Sequence, residues 1–226
     1  MIRFTAVLRG TAGVLACAAL SACLGNGAGG GAGGGGGGGG TGLTPEEYDA
    51  NFERVTGMIP TSDMPSTGSA KFTGTVSTEL RETGPSGAVA GRMLGDLDMD
   101  INFDPTVVSP ISGTATNFRG VIDGNDVAFS GTLATDAARL PTAIAVTEDT
   151  IPLPTGGSVD LRAGSMSANL FGDLELDGAD GEVILSLGGA FVGPGAQASY
   201  GPAIGTWWGP TGPDGYVASG TYYIER

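Results

Sequence analysis

From Ala70 onward apolar and polar residues alternate with a period of two, which restricts this stretch to β-strands with one face buried and one wet. Phe72, Val76 and Leu80 share a face with Ala70 and Gly74, while Lys71, Thr73, Thr75, Ser77 and Glu79 share the other. Leu97, Met99, Ile101 and Phe103 stand in the same way against Asp96, Asp98, Asp100, Asn102 and Asp104. Rows recur in Val127 to Ala134, Met166 to Leu176, Val183 to Phe191, Ala203 to Trp208 and Tyr216 to Ile224, and more weakly in Ile111 to Arg119. The Pro-interrupted region from Asp136 to Ala163 holds at most one short strand, at Ala143 to Val146. Eight main strands result, separated by turns such as Asp123-Gly124-Asn125-Asp126 and Asp177-Gly178-Ala179-Asp180-Gly181.

Strands with one apolar face each describe a sheet wrapped around its own core, and eight is the number at which side chains just fill a closed barrel. Closure also removes free edges. Glycine recurs inside the strands, in Phe72-Thr73-Gly74-Thr75, Ser112-Gly113-Thr114, Phe129-Ser130-Gly131-Thr132, Gly205-Thr206 and Ser219-Gly220-Thr221. Glycine weakens a strand unless the sheet bends sharply, so these sites point to tight coiling. The expected fold is all-β: a soluble eight-stranded antiparallel β-barrel over residues 68–226. Residues 43–67 precede it as a short helix and a connector. Thr44-Pro45-Glu46-Glu47 is a helix start with a capping box, and Tyr48, Phe52 and Val55 line one face. A helix this short is marginal alone and is expected to dock on one end or flank of the sheet.

Near the start of the chain, Arg3 and Arg9 precede an apolar run from Ala12 to Leu20 that is too short to span a bilayer. It ends in Leu20-Ser21-Ala22-Cys23, which resembles the bacterial lipoprotein signal. The resemblance implies removal of residues 1–22, a diacylglyceryl thioether on Cys23 and acylation of the new amino end. Three acyl chains exceed what stable anchoring requires. Leu24 stands where an aspartate would signal inner-membrane retention, so the outer membrane is the expected address. Residues 25–42 contain fourteen glycines and complete, with Cys23, an anchor and tether over 23–42. As a random coil eighteen such residues span roughly 25 Å.

Without residues 1–22 the chain keeps eight basic and 24 acidic side chains, a net charge of −16. Such a protein repels nucleic acid, so no nucleic-acid partner is expected, and a charged partner is expected to be basic. The milder account is that the charge keeps a surface protein soluble and monomeric. Cys17 leaves with the signal and Cys23 carries the lipid, so no disulfide supports the domain. Histidine is absent. That excludes His-based zinc sites and Ser-His-Asp triads, and no enzymatic activity or cofactor is expected.

Gly188-Gly189-Ala190-Phe191-Val192-Gly193-Pro194-Gly195-Ala196, leading to Gly205-Thr206-Trp207, resembles the closing strands of the barrel in transferrin-binding protein B and related small barrel lipoproteins. Ser112-Gly113-Thr114-Ala115-Thr116-Asn117-Phe118 and Val127-Ala128-Phe129-Ser130-Gly131-Thr132-Leu133 resemble its earlier strands. The resemblance covers about residues 68–226. It implies an outer-membrane lipoprotein, often at the cell surface, that captures a host or environmental protein, or a metal or haem carrier, for a TonB-dependent transporter. This chain has one barrel, no second lobe and no substantial handle domain, so no receptor-contact residue carries over.

Asp96, Asp98, Asp100 and Asp104 form the densest acidic row, but alternate residues on a strand lie ~7 Å apart and do not close around one ion. The turn acids Asp123, Asp126, Asp177 and Asp180 are better shaped for weak calcium binding, although such residues usually satisfy local backbone. No metal site is assigned. Trp207 and Trp208 are adjacent on a strand, so one faces inward and one outward; with Tyr200 and Tyr216 they are the candidate partner-binding residues. The leading expectation is a tethered binding lipoprotein, and the alternative is a structural or adhesive envelope lipoprotein. An integral outer-membrane barrel fits less well, since its apolar residues would face outward.

Overall fold

The computed structural model describes residues 42–83, 87–176, 179–208 and 215–226. The expected leader, Cys23, the tether up to Thr41 and the Asp177-Gly178 half of one turn lie outside the described residues.

Helix α1 runs from Pro45 to Thr56. The Thr44 backbone N–H donates to Glu47 Oε2 at 2.8 Å, and the Glu47 N–H donates to Thr44 Oγ1 at 3.2 Å, closing the capping box. The strands are β1 (Ser69–Glu82), β2 (Val89–Asn102), β3 (Ile111–Ile122), β4 (Asn125–Ala128), β5 (Ser130–Gly131), β6 (Leu133–Thr135), β7 (Ala143–Pro152), β8 (Ser158–Leu176), β9 (Ala179–Val192), β10 (Ala198–Trp208) and β11 (Gly215–Glu225). All pair antiparallel, in the order β2-β1-β11-β10-β9-β8-β6-β3, and β3 pairs back to β2. The circuit is a closed, barrel-like ring of eight strands, as the alternating rows require.

Its interior is filled by those rows. Phe72, Val76 and Leu80 of β1, Leu97, Met99 and Ile101 of β2, Leu170 and Leu174 of β8, and Leu185 and Leu187 of β9 are all buried in one core. Tyr222 joins them from β11 with its side chain fully buried. Glycine lets the wall coil this tightly: a Cβ on Gly74 would collide with the Tyr223 carbonyl oxygen, and one on Gly220 with that of Ser77.

A second, smaller core lies outside the ring, beneath α1. Tyr48 and Val55 of the helix bury against Leu94, Val192, Ala198 and Tyr223, with Phe52 and Tyr200 at the margin. The helix therefore docks on a flank. Thr75 and Ser77, on the outer face of β1, are buried there as well.

Two stretches differ from the sequence reading. The single strand expected at Val127 to Ala134 is divided: β4 pairs with β3, β5 with β8, and only β6 bridges both. Gly131 causes the break, with φ at +131°, where L side chains rarely go. A Cβ there would strike the Asp173 carbonyl oxygen. The second is the Pro-interrupted region. The short strand expected at Ala143 to Val146 extends to Pro152, and β8 begins at Ser158 instead of Met166. Together they form a two-stranded arm with ten successive residue pairs, from Ala143 opposite Ser167 to Pro152 opposite Ser158. Both faces of its outer part are wet, so no apolar alternation announces it.

Candidate functional site

The arm leaves the ring because Thr142 takes the place of a neighbouring strand. Its hydroxyl donates to the Ile111 carbonyl at 2.9 Å and accepts from the Ile111 N–H at 2.9 Å. The two groups at the start of β3 that a zipped-up β7 would use are thereby occupied. Pro110 and Pro141 flank this point and offer no N–H of their own. Beyond it, β7 pairs with β8 alone among the described residues, and its other edge is open.

That edge borders a groove of about 690 Å³ between the arm and the loop of residues 103–110. Phe103, Val107, Val108, Ile144 and Val146 supply its apolar lining, with Glu148 and Arg162 at its polar side. Val108 is 87% exposed, an unusual condition for a valine beside other apolar groups. On the outer face of the arm Ile151 and Val159 sit directly opposite each other, 46% and 44% exposed.

Two polar groups of this groove lack hydrogen-bond partners among the described residues. Ser109 is held at φ +57°, a left-handed conformation costly for a non-glycine residue, and its Oγ is buried without a hydrogen bond. Arg162 donates from Nη1 to Glu148 Oε1 at 2.8 Å, yet its Nε is buried and unpaired. Its backbone is fully used: the N–H donates to the Ser62 carbonyl at 2.8 Å and the carbonyl accepts from the Met64 N–H at 2.9 Å. The connector is thus stitched along β8, and β7 remains the uncovered side. Asp104 braces the loop, accepting from the Thr106 N–H at 2.9 Å and from Thr106 Oγ1 at 2.8 Å, which holds its carboxyl below the usual range.

Of the four aromatic residues singled out by sequence, Trp207 and Tyr216 meet, while Tyr200 and Trp208 stand apart from them. Tyr200 faces outward under α1, its ring edge-on to Phe52 at 6.1 Å. Trp207 turns inward between Phe129 and Tyr216, 5.4 Å from each. Burial raises the Tyr216 hydroxyl above its ordinary value, with Asp123 and Glu82 adding to the effect. Trp208 alone faces solvent, 55% exposed, beside the exposed outward-facing Ile204 and Val217. The pleat sends the adjacent tryptophans to opposite faces, and the pairing of neighbouring strands brings Trp207 to Tyr216.

The acidic row is balanced by cations from neighbouring strands. Lys71 Nζ lies 2.8 Å from Asp98 and 3.5 Å from Asp100, and Arg119 Nη1 lies 3.0 Å from Asp96. Among the described residues no group of three or more His, Cys, Asp or Glu side chains is placed to hold a metal ion. Nor is any described helix long and apolar enough to cross a membrane, which leaves strands untouched as a means of crossing.

No family model matches the chain, and none of the curated proteins or solved structures compared with it gives a match. The groove was not legible in advance. Its apolar members come from segments 30 or more residues apart, and no period-two pattern links them.

Proposed function

We propose that this chain is an outer-membrane-anchored binding lipoprotein, acylated at Cys23, that captures a protein ligand at the arm and groove and presents it to a TonB-dependent transporter. One contrast carries the reading. The enclosed apolar space within the ring, between Phe118, Leu133, Leu174 and Trp207, is a cavity of about 20 Å³, enough for about one water, whereas the groove outside holds about 690 Å³. A metal carrier or haem-bearing protein engaged from outside is compatible with this shape, and a small ligand held inside the ring is not. The barrel-like ring and the transferrin-binding-protein-B-like segments favour the same reading. The exposed Ile151–Val159 pair on the arm also fits the adhesive alternative, in which the arm would attach the cell rather than feed a transporter.

Affinity capture from native envelopes tests the proposal, comparing the parent chain with one whose arm tip, residues 147–161, is replaced by a tight turn. Recovery of a transporter or soluble protein by the parent and its loss with the shortened arm is the expected result. Equal recovery by both would overturn the assignment of the site. Palmitate labelling tests the anchor: Cys23→Ser is expected to lose the label and to leave the membrane fraction.

A further inference from the structure

We propose that the open edge of β7 receives an extended, lysine- or arginine-bearing segment of the captured protein as an added strand, with alternate residues of that segment entering the groove. The inference rests on the capture reading above and specifies its chemistry. An unpaired edge is a template for another chain, and proteins blunt such edges with lysines, prolines, bulges or a covering element. β7 uses almost none of these. It has no lysine, its ten pairs with β8 run without a register shift, and its one proline, Pro152, stands at the last position. At ~3.3 Å per residue its ten residues offer a regular edge of roughly 33 Å.

Both the groove and the charge limit what fits there. On the face toward the groove, Ile144 and Val146 precede Glu148, and the apolar Val107 and Val108 stand across from them. An added strand would therefore place an apolar side chain at every second position near Ile144 and Val146. Farther along, Glu148 and Asp149 are adjacent and exposed, and Asp160 follows on β8. Asp149 and Asp160 form no ion pair among the described residues; Asp149 accepts from the Thr150 N–H and Asp160 from the Thr150 hydroxyl. A cation on the incoming strand opposite Asp149 would find that carboxylate at cross-strand distance, with Asp160 one strand farther on. A second copy of this chain fits poorly. Pairing β7 with itself would set Glu148 and Asp149 against their own kind, in a chain of net charge −14.

Fluorescence polarisation of labelled peptides on the full chain tests this. The probes are one peptide of alternating valine and lysine and one of alternating valine and glutamate, each about as long as β7. The lysine peptide is expected to bind saturably and about tenfold more tightly. The double reversal E148K/D149K is expected to invert that preference. Of the two variants Thr147→Pro and Glu148→Pro, the one that removes an outward N–H is expected to lose the lysine peptide, with circular dichroism unchanged. Equal binding of both peptides, or a preference unmoved by the charge reversal, would overturn the proposal. So would concentration-dependent dimerisation abolished by a proline variant, since the edge would then serve a second copy. If native capture persists in both proline variants, the edge assignment fails while the capture reading stands.

Discussion

The Tyr48 hydroxyl lies 2.8 Å from the Thr221 hydroxyl, fastening helix α1 to the outer face of β11. Tyr48 is 2% exposed, its ring 5.8 Å from Phe52 and 5.6 Å from Tyr223, with the Arg92 guanidinium 5.5 Å from its centre. Arg54 adds a two-pronged contact, donating to Glu225 Oε1 at 2.5 Å and Oε2 at 2.7 Å. Truncating the ring empties the middle of the outer core. Tyr48→Ala is expected to cost about 3–5 kcal/mol and Tyr48→Phe about 1 kcal/mol, measured by urea unfolding. Equal, small losses would mean that the helix is not held through this residue.

Tyr222 gives the fold an alkaline limit. Its hydroxyl is buried inside the ring near Ser199 Oγ at 3.2 Å, and burial pushes it up from its ordinary 10.0 to about 12, against the opposing hydrogen bond. Below pH 10 both folded and unfolded chains hold this proton, so the contribution is fully present. Between about 10 and 12 the unfolded chain releases the proton while the native chain retains it, and stability falls as pH rises. Urea midpoints are expected to hold steady to about pH 9 and to decline from about pH 10. Tyr222→Phe lowers the starting value but should flatten part of that decline, while leaving the share from Tyr48, also raised to about 12 by burial.

The adjacent tryptophans should separate in solution. Trp208 is 55% exposed, and its Nε1 donates only to Thr206 on its own strand, at 3.2 Å. Trp207 fills the interior beside Phe129 and Tyr216. Trp208→Phe is therefore expected to remove most acrylamide-quenchable emission and to change stability by less than ~0.5 kcal/mol. Trp207→Phe should remove the shielded emission and cost roughly 2 kcal/mol through the space it leaves. Equal quenching in both variants would contradict this placement.

What could be read from sequence follows from where burial enforces alternation. Away from the patch under the helix, β1, β2, β9 and β11 each wet one face, so Phe72, Leu97, Leu185 and Ala218 announced the interior directly. The arm announces nothing, because a ribbon wet on both sides carries no period-two signal. The outer core was hidden for a related reason. Leu94 and Tyr223 sit on faces that a lone barrel would expose, and only the helix covers them. The charge pairs of Lys71 and Arg119 depend on register between strands, and no local pattern encodes register.

The coiling of the ring makes a sharp distinction between glycines. Gly220 faces the backbone of Ser77 and Thr78 so closely that any Cβ must displace a neighbouring strand. At Gly188, by contrast, the nearest atom to an added Cβ is the Met166 carbonyl oxygen at 3.9 Å, an ordinary contact. Gly220→Ala must either push β1 from β11 or flatten the local coil, and both break pairing in a ring that has no spare strand. A loss of more than ~3 kcal/mol, or failure to fold, is the expected outcome. Gly188→Ala should stay within about 0.5 kcal/mol of the parent, since lost backbone freedom in the unfolded chain offsets a mild change in packing. Thermal unfolding of the two variants side by side reads the difference directly. If Gly220→Ala melts with the parent, β1 and β11 do not approach as closely as the ring requires.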